Sequence, residues 1–307
     1  MQTIESLKKT IKSAEDLQSV VKTMKALAAV SIRQYQKAVE SLTDYTRTVE
    51  LGLQIALKNK PEPVEMVQPA PYLRMGGIIF GSDQGLRGQL NEQIAVHAIE
   101  DMDKLGIQKK DRTMMTVGLR VNGFVEDAGL TITESLTVPG STAGITPMVQ
   151  EIMMILEEWL IRKQIQHVYL FYNEYISGAT YRQKTVHLLP VDRNWLKNLE
   201  MKKWPTRTLP TFTMDWNELF RGLIHEYLFV SLYRAFAESL ASENASRLAA
   251  MQNAEKNIEE RLQELHGQFH RKRQMNITEE LLDIVAGFEA MSESKKIIAL
   301  KKQERGL

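Results

Sequence analysis

The sequence predicts an α+β protein in which two very long helices, one at each end of the chain, form an antiparallel coiled coil around an inserted α/β, Rossmann-like domain. Three observations carry this. The C-terminal third holds a heptad seam with no proline after Pro210. The N-terminal segment repeats the same pattern, and the stretch between them alternates short apolar runs with amphipathic ones. Two seams in one chain, separated by a compact insert, pair most simply with each other; the bland alternative places each rod in its own homo-oligomer.

The expected divisions are 1–60 for the first coiled-coil helix, 70–205 for the α/β domain, 212–291 for the second helix and 292–307 for a basic extension. In the first helix, steps of three and four from Ile4 meet Leu7, Ile11, Ala14, Val21, Ala28, Ile32, Tyr35, Val39, Leu42, Val49, Leu53 and Ala56, with only Gln18, Lys25 and Thr46 polar. No proline or glycine interrupts before Gly52. In the second, from Asp215 to about Met291, the seam passes through Phe220, Leu223, Tyr227, Val230, Ala237, Ala241, Leu248, Met251, Ile258, Leu262, Leu265 and Phe269, broken at Arg234, Asn244 and Glu255. A 3.5-residue repeat sustained this long calls for a partner helix. At the standard rise the two rods would reach roughly 80 and 110 Å. Pairing Ala56 with the neighbourhood of Phe220 sets a register that places Leu42 and Val49 near residues 227–234 and Ile4 near Lys272.

Between the rods, Pro61, Pro63, Pro69 and Pro71 mark a linker, because proline removes a donor and stops a helix. Strands are expected at Gly76–Phe80, Thr113–Val117, Leu130–Leu136, His167–Tyr172 and Lys184–Leu189. Helices are expected at Gln89–Leu105, near Val121–Ala128, and through Ile161 from a first turn containing Pro147. This alternation argues for a mostly parallel sheet. Pro190, Pro205 and Pro210 space the insert from the second rod.

Composition bounds the function. The 307 residues carry 39 basic and 38 acidic side chains, so net charge implies no nucleic-acid partner. Cysteine is absent, which removes disulfide and thiol chemistry. The polar, amphipathic start predicts no signal peptide, and no apolar run approaches the roughly 18 residues a bilayer-spanning helix needs. Direct bilayer insertion is not expected.

Candidate chemistry is sparse. The turn Gly81-Ser82-Asp83-Gln84-Gly85-Leu86-Arg87-Gly88 between a strand and a helix could cradle phosphate on helix amides. Its spacing is neither G-x-G-x-x-G nor a P-loop, and the favoured reading is a tight turn in which Asp83 or Ser82 bonds backbone amides. His266 and His270 lie one helical turn apart without a third ligand, so no metal site is expected. No acid/base or nucleophile arrangement stands out; catalytic and cofactor-binding residues are none. One feature does call for a partner. Ile277, Leu281, Leu282, Ile284, Val285, Phe288 and Met291 form an apolar band wider than one seam, where the register leaves the helix alone. A single helix apolar nearly all round needs enclosure from outside the chain.

Three blocks carry a resemblance to a known family: VVKTMKALAAVSI (Val20–Ile32), SDQGLRGQLNE (Ser82–Glu92), and ASENASRLAAMQNAEKN (Ala241–Asn257) continued by RQMNITEELLDIVAGFEA (Arg273–Ala290). The sequence resembles the gamma subunit of the F1 sector of F-type ATP synthases over nearly its full length. The resemblance implies a non-catalytic rotor without cofactors: a coiled coil inside a ring of alpha and beta subunits, with partners that include the epsilon subunit and the membrane c-ring. It implies a peripheral location on the cytoplasmic face of the bacterial inner membrane. It further implies that Lys22, Met24, Lys25 and Arg247 meet the acidic lever loop of a beta subunit. Arg273 and Gln274 match the family's catch, and Ile277, Leu281, Ile284 and Phe288 its axle tip. Arg87 departs from the cysteine many members carry, and the extension Ser292–Leu307, of net charge +3, runs past the usual end. Both departures point to a divergent branch, such as the alternative or sodium-translocating enzymes. The competing function is a nucleotide-binding α/β enzyme dimerised by its coiled coil; a passive coiled-coil scaffold is the third.

Overall fold

A computed structural model describes residues 3–61, 74–208 and 210–304. Pro63, Pro69 and Pro71 lie outside the described residues, as do the side chains beyond Met291. The order of elements is helix α1 (Ile4–Lys58), strand β1 (Met75–Phe80), α2 (Leu90–Lys104), β2 (Arg112–Val117), α3 (Asn122–Asp127), β3 (Ile132–Leu136), α4 (Ile145–Ile161), β4 (His167–Ser177), β5 (Thr180–Leu189), α5 (Arg193–Met201) and α6 (Trp216–Glu304). Contacts divide the chain into two compact units, Met1–Thr23 with Gln252–Leu307, and Met24–Met251. Each contains a portion of both long helices.

In the smaller unit the start of α1 packs on α6 through Leu7, Ile11, Leu262 and Leu265, flanked by Ala14, Ile258 and Phe269. Lys8 sets its ammonium 5.9 Å from the Phe269 ring centroid. In the larger unit Trp216 Nε1 donates to the Ala56 carbonyl at 2.7 Å, and the Tyr45 hydroxyl donates to Glu226 at 2.5 Å. Residue numbers fall along α1 as they rise along α6, so the helices are antiparallel. Gly52 permits their close approach: a Cβ there would lie 2.7 Å from a Leu223 methyl. Val49, Leu53 and Leu57 meet Phe220, Leu223 and Tyr227 across this seam, close to the expected register.

The sheet has the order β3-β2-β1-β4-β5. β1 is parallel to β2 and β4, β2 is parallel to β3, and only β5 is antiparallel. Strand alternation sends Met75 and Ile79 to one face, where Ile94, Ala98, Met102, Val121 and Val125 of α2 and its neighbours cover them. Ile78 and Phe80 face the other side, under α4 and α6. Gly76 is needed because Trp159 lies directly on it; a Cβ would approach the indole to 2.5 Å.

Three elements differ from expectation. β4 and β5 run on past Tyr172 and begin before Lys184, joined by a two-residue turn at 178–179, because Ser177 still pairs with Thr180. Helix α5 is absent from the sequence reading. It is nine residues long, is capped by Asp192 accepting from the Asn194 amide at 2.8 Å, and buries Leu196 and Leu199 against the α1–α6 seam.

Candidate functional site

In doubly wound sheets, ligands sit at the carboxyl ends of the strands where the strand order reverses. Here that point lies between β1 and β4, and it is filled by the chain itself. Phe236 of α6 meets Phe80 edge-on, with ring centroids 4.9 Å apart. The Ser242 hydroxyl donates to the Asn173 carbonyl of β4 at 2.8 Å, and Ser246 donates to the Arg87 carbonyl at 2.5 Å. From Ser239 to Ser246 every residue of α6 is buried. Serine and alanine dominate that stretch, and their small size lets strand ends approach the helix on several sides.

The turn after β1 behaves as its tight-turn reading requires. Asp83 accepts from the Leu119 amide at 2.9 Å and the Val138 amide at 2.7 Å, tying three loops together. Asn91 donates to the Ser82 hydroxyl at 2.9 Å. Arg87 is the surprise, being 5% exposed, with Nη2 2.5 Å from Glu243 Oε1. Arg247 reaches the same carboxylate oxygen at 3.3 Å and also bonds Asn244 at 3.0 Å. Burial pushes the Glu243 carboxyl up to about 7 against the opposing pull of the two arginines, and burial lowers Arg87 to about 10. A lone arginine in a glycine-rich turn reads as solvated, so this pair was not legible from residue types alone.

The remaining expected residues fall as follows. In the larger unit, Met24 and Lys25 are half-buried and Arg247 is bound into the Glu243 cluster. In the smaller unit, Lys22, Arg273 and Gln274 are exposed. Ile277, Leu281, Ile284 and Phe288 are 48, 57, 69 and 70% exposed, and Leu282, Val285 and Met291 are exposed with them. His266 and His270 are exposed, and among the described residues no group of three or more His, Cys, Asp or Glu side chains could hold a metal ion. Among the described residues, no helix is long and apolar enough to cross a membrane.

These features define a class: an antiparallel coiled coil carrying a doubly wound head whose ligand crevice is occupied by its own C-terminal helix. The family model described as ATP synthase matches residues 3–291. The ATP synthase gamma chain of Brevibacillus brevis is 26% identical over 291 residues, covering 94% of this chain and 99% of that one. That of a Sulfurihydrogenibium species is 26% identical over 287 residues, covering 93% and 97%. Among solved structures, a chain of the Euglena gracilis mitochondrial ATP synthase OSCP/F1/c-ring assembly in rotational state 3 superposes with a TM-score of 0.65 at 18% identity, covering 95% of this chain and 96% of that one. A chain of the Tetrahymena thermophila mitochondrial ATP synthase central stalk/c-ring gives 0.56 at 21% identity, covering 76% and 99%. The chain belongs to the gamma-subunit family of F-type ATP synthases.

Proposed function

We propose that the chain is the central rotor shaft of an F-type ATP synthase, coupling ion-driven rotation of a membrane c-ring to the conformational cycle of a catalytic ring of alpha and beta subunits. The observation that carries this reading is the exposed apolar band from Ile277 to Met291. Covering each large apolar side chain is worth about 1.5–3 kcal/mol, so the band favours enclosure in a sleeve of partner subunits. In this reading Ile277, Leu281, Ile284 and Phe288 are the axle tip, Arg273 and Gln274 the catch, and Lys22, Met24, Lys25 and Arg247 the contacts to a beta subunit's lever loop. Residues 1–60 and 212–291 act as the shaft and 70–205 as the head, with the epsilon subunit and c-ring as further partners. The subunit is non-catalytic and peripheral, on the cytoplasmic face of a bacterial inner membrane, and belongs to a divergent branch of the family.

The rival enzyme reading needs the crevice at the β1–β4 switch point, and α6 fills it. Affinity purification with measured subunit stoichiometry tests the proposal: the chain should travel with three alpha and three beta subunits. Recovery of a homodimer that binds nucleotide would replace the rotor with the enzyme. Within the assembled complex, Arg273→Ala should leave assembly intact and lower turnover, because a charge-assisted hydrogen bond made in one rotational state contributes about 1.5–3 kcal/mol there. Wild-type turnover and synthesis in that variant would remove Arg273 from the mechanism.

A further inference from the structure

Resting on the rotor reading, we infer that the catalytic-ring surface receiving the end of α6 grips it from one side only, in an apolar groove with basic lips. The opposite side of the helix, at Glu279 and Asp283, stays in water. Contact inside the sleeve is therefore asymmetric.

The exposed band is not uniform around the helix. Ile277, Leu281, Ile284, Phe288 and Met291 follow alternating steps of four and three, so at roughly 100° per residue they fall within about 80° of one another. Val285 and Leu282 extend this surface on one side to about half the circumference. Glu279 and Asp283 lie one turn apart opposite the middle of that arc, with the small Ala286 and Gly287 among their neighbours. A helix apolar over one half, with anchors at these steps, suits a groove.

Charge states the chemistry of the groove. From Gln274 to Met291 the helix carries Glu279, Glu280, Asp283 and Glu289 and no lysine, arginine or histidine. Glu289 falls within the apolar arc, between Val285 and Leu282, and Glu280 stands at its other margin beside Met291. Covering the arc takes these two carboxylates out of water, which is costly unless cations meet them. A second copy of this chain would set the same carboxylates against like charges, so self-pairing is disfavoured. A partner with an apolar floor and lysine or arginine on both lips satisfies the arc and its charges together.

Two double variants of equal charge change test this in the assembled complex. All four carboxylates are exposed in the isolated chain, so neither variant should alter its unfolding midpoint. Glu280→Lys with Glu289→Lys should lower recovery of the chain with the alpha and beta subunits on the order of tenfold, because like charges then face each other across the interface. Glu279→Lys with Asp283→Lys should be recovered as the wild type is. Equal loss in both would mean contact on all sides and overturn the one-sided grip. Wild-type recovery of both, with Phe288→Asp still impaired, would overturn the basic lips. If Phe288→Asp is also recovered normally, the band has no partner and the inference falls. A wild-type chain that does not travel with the hexamer would instead remove the rotor reading itself.

Discussion

One helix, α6, contains two apolar stretches with opposite fates. Around Leu232–Ala245 it is enclosed by strand ends and α1, and Phe236 is 1% exposed. Around Ile277–Met291 it carries comparable apolar surface, and Phe288 is 70% exposed. Hydrophobicity alone does not distinguish them; the side chains between the large residues do. The enclosed stretch intersperses Ser239, Ser242 and Ser246, and the hydroxyls of Ser242 and Ser246 find carbonyls of the helix or the head. The exposed stretch intersperses Glu279, Glu280, Asp283 and Glu289, all of them exposed. The first is a core completed by its own chain, and the second is a surface suited to a partner.

The contrast can be broken most forcefully at Phe236. Phe236→Ala removes the ring that packs on Phe80 and should cost the isolated chain about 3–5 kcal/mol, read by denaturant unfolding. A loss under 1 kcal/mol would mean the head does not depend on α6. A pH titration gives the next effect. The folded Glu243 carboxyl is held at about 7, above its ordinary value, so the folded chain binds the extra proton. Its contribution is therefore fully present at low pH and is lost as pH rises through about 7. Glu243→Gln should flatten the stability profile over that window relative to wild type; parallel profiles would show that Glu243 does not titrate there.

At the other stretch the same measurement should barely respond. Phe288→Asp is expected to change the isolated chain's stability by less than about 0.5 kcal/mol, because an exposed ring has little burial to lose. Recovery of the assembled complex should nevertheless fall, as quantified by co-purification; unchanged recovery would deny the band its partner. Truncation after Met291 sharpens the comparison least. It should leave stability and assembly unchanged and shift only the ratio of ATP hydrolysis to synthesis. Wild-type values of both activities over a range of salt would make the tail passive.

The seam of α1 was fully legible: every position from Ile4 to Ala56 in the heptad phase is buried or half-buried. The seam of α6 was legible where α1 alone covers it and incomplete in the middle, where Leu232, Ala235, Phe236 and Leu240 pack into the head outside the heptad phase. A one-partner pattern cannot describe a helix with neighbours on every side. Helix α5 leaves no periodic signal in the sequence because nine residues between prolines give too few turns for one to emerge. The burial of Arg87 depends on Glu243, more than 150 residues away, a pairing that no local pattern announces. The turn around Asp83 was readable because an aspartate's bonds to nearby backbone are short-range chemistry.

Ser242 and Ser246 lie four residues apart, so both hydroxyls leave α6 on one side, and each is fixed to a carbonyl of the head. Apolar contacts are non-directional and permit a cylinder to roll in its seat; hydrogen bonds are directional and do not. Turning α6 by one residue, roughly 100° about its axis, would break both bonds and pull Glu243 from Arg87. The joint is thus keyed like a spline: beside the strand ends, α6 can neither roll nor slide on the head without breaking directional bonds.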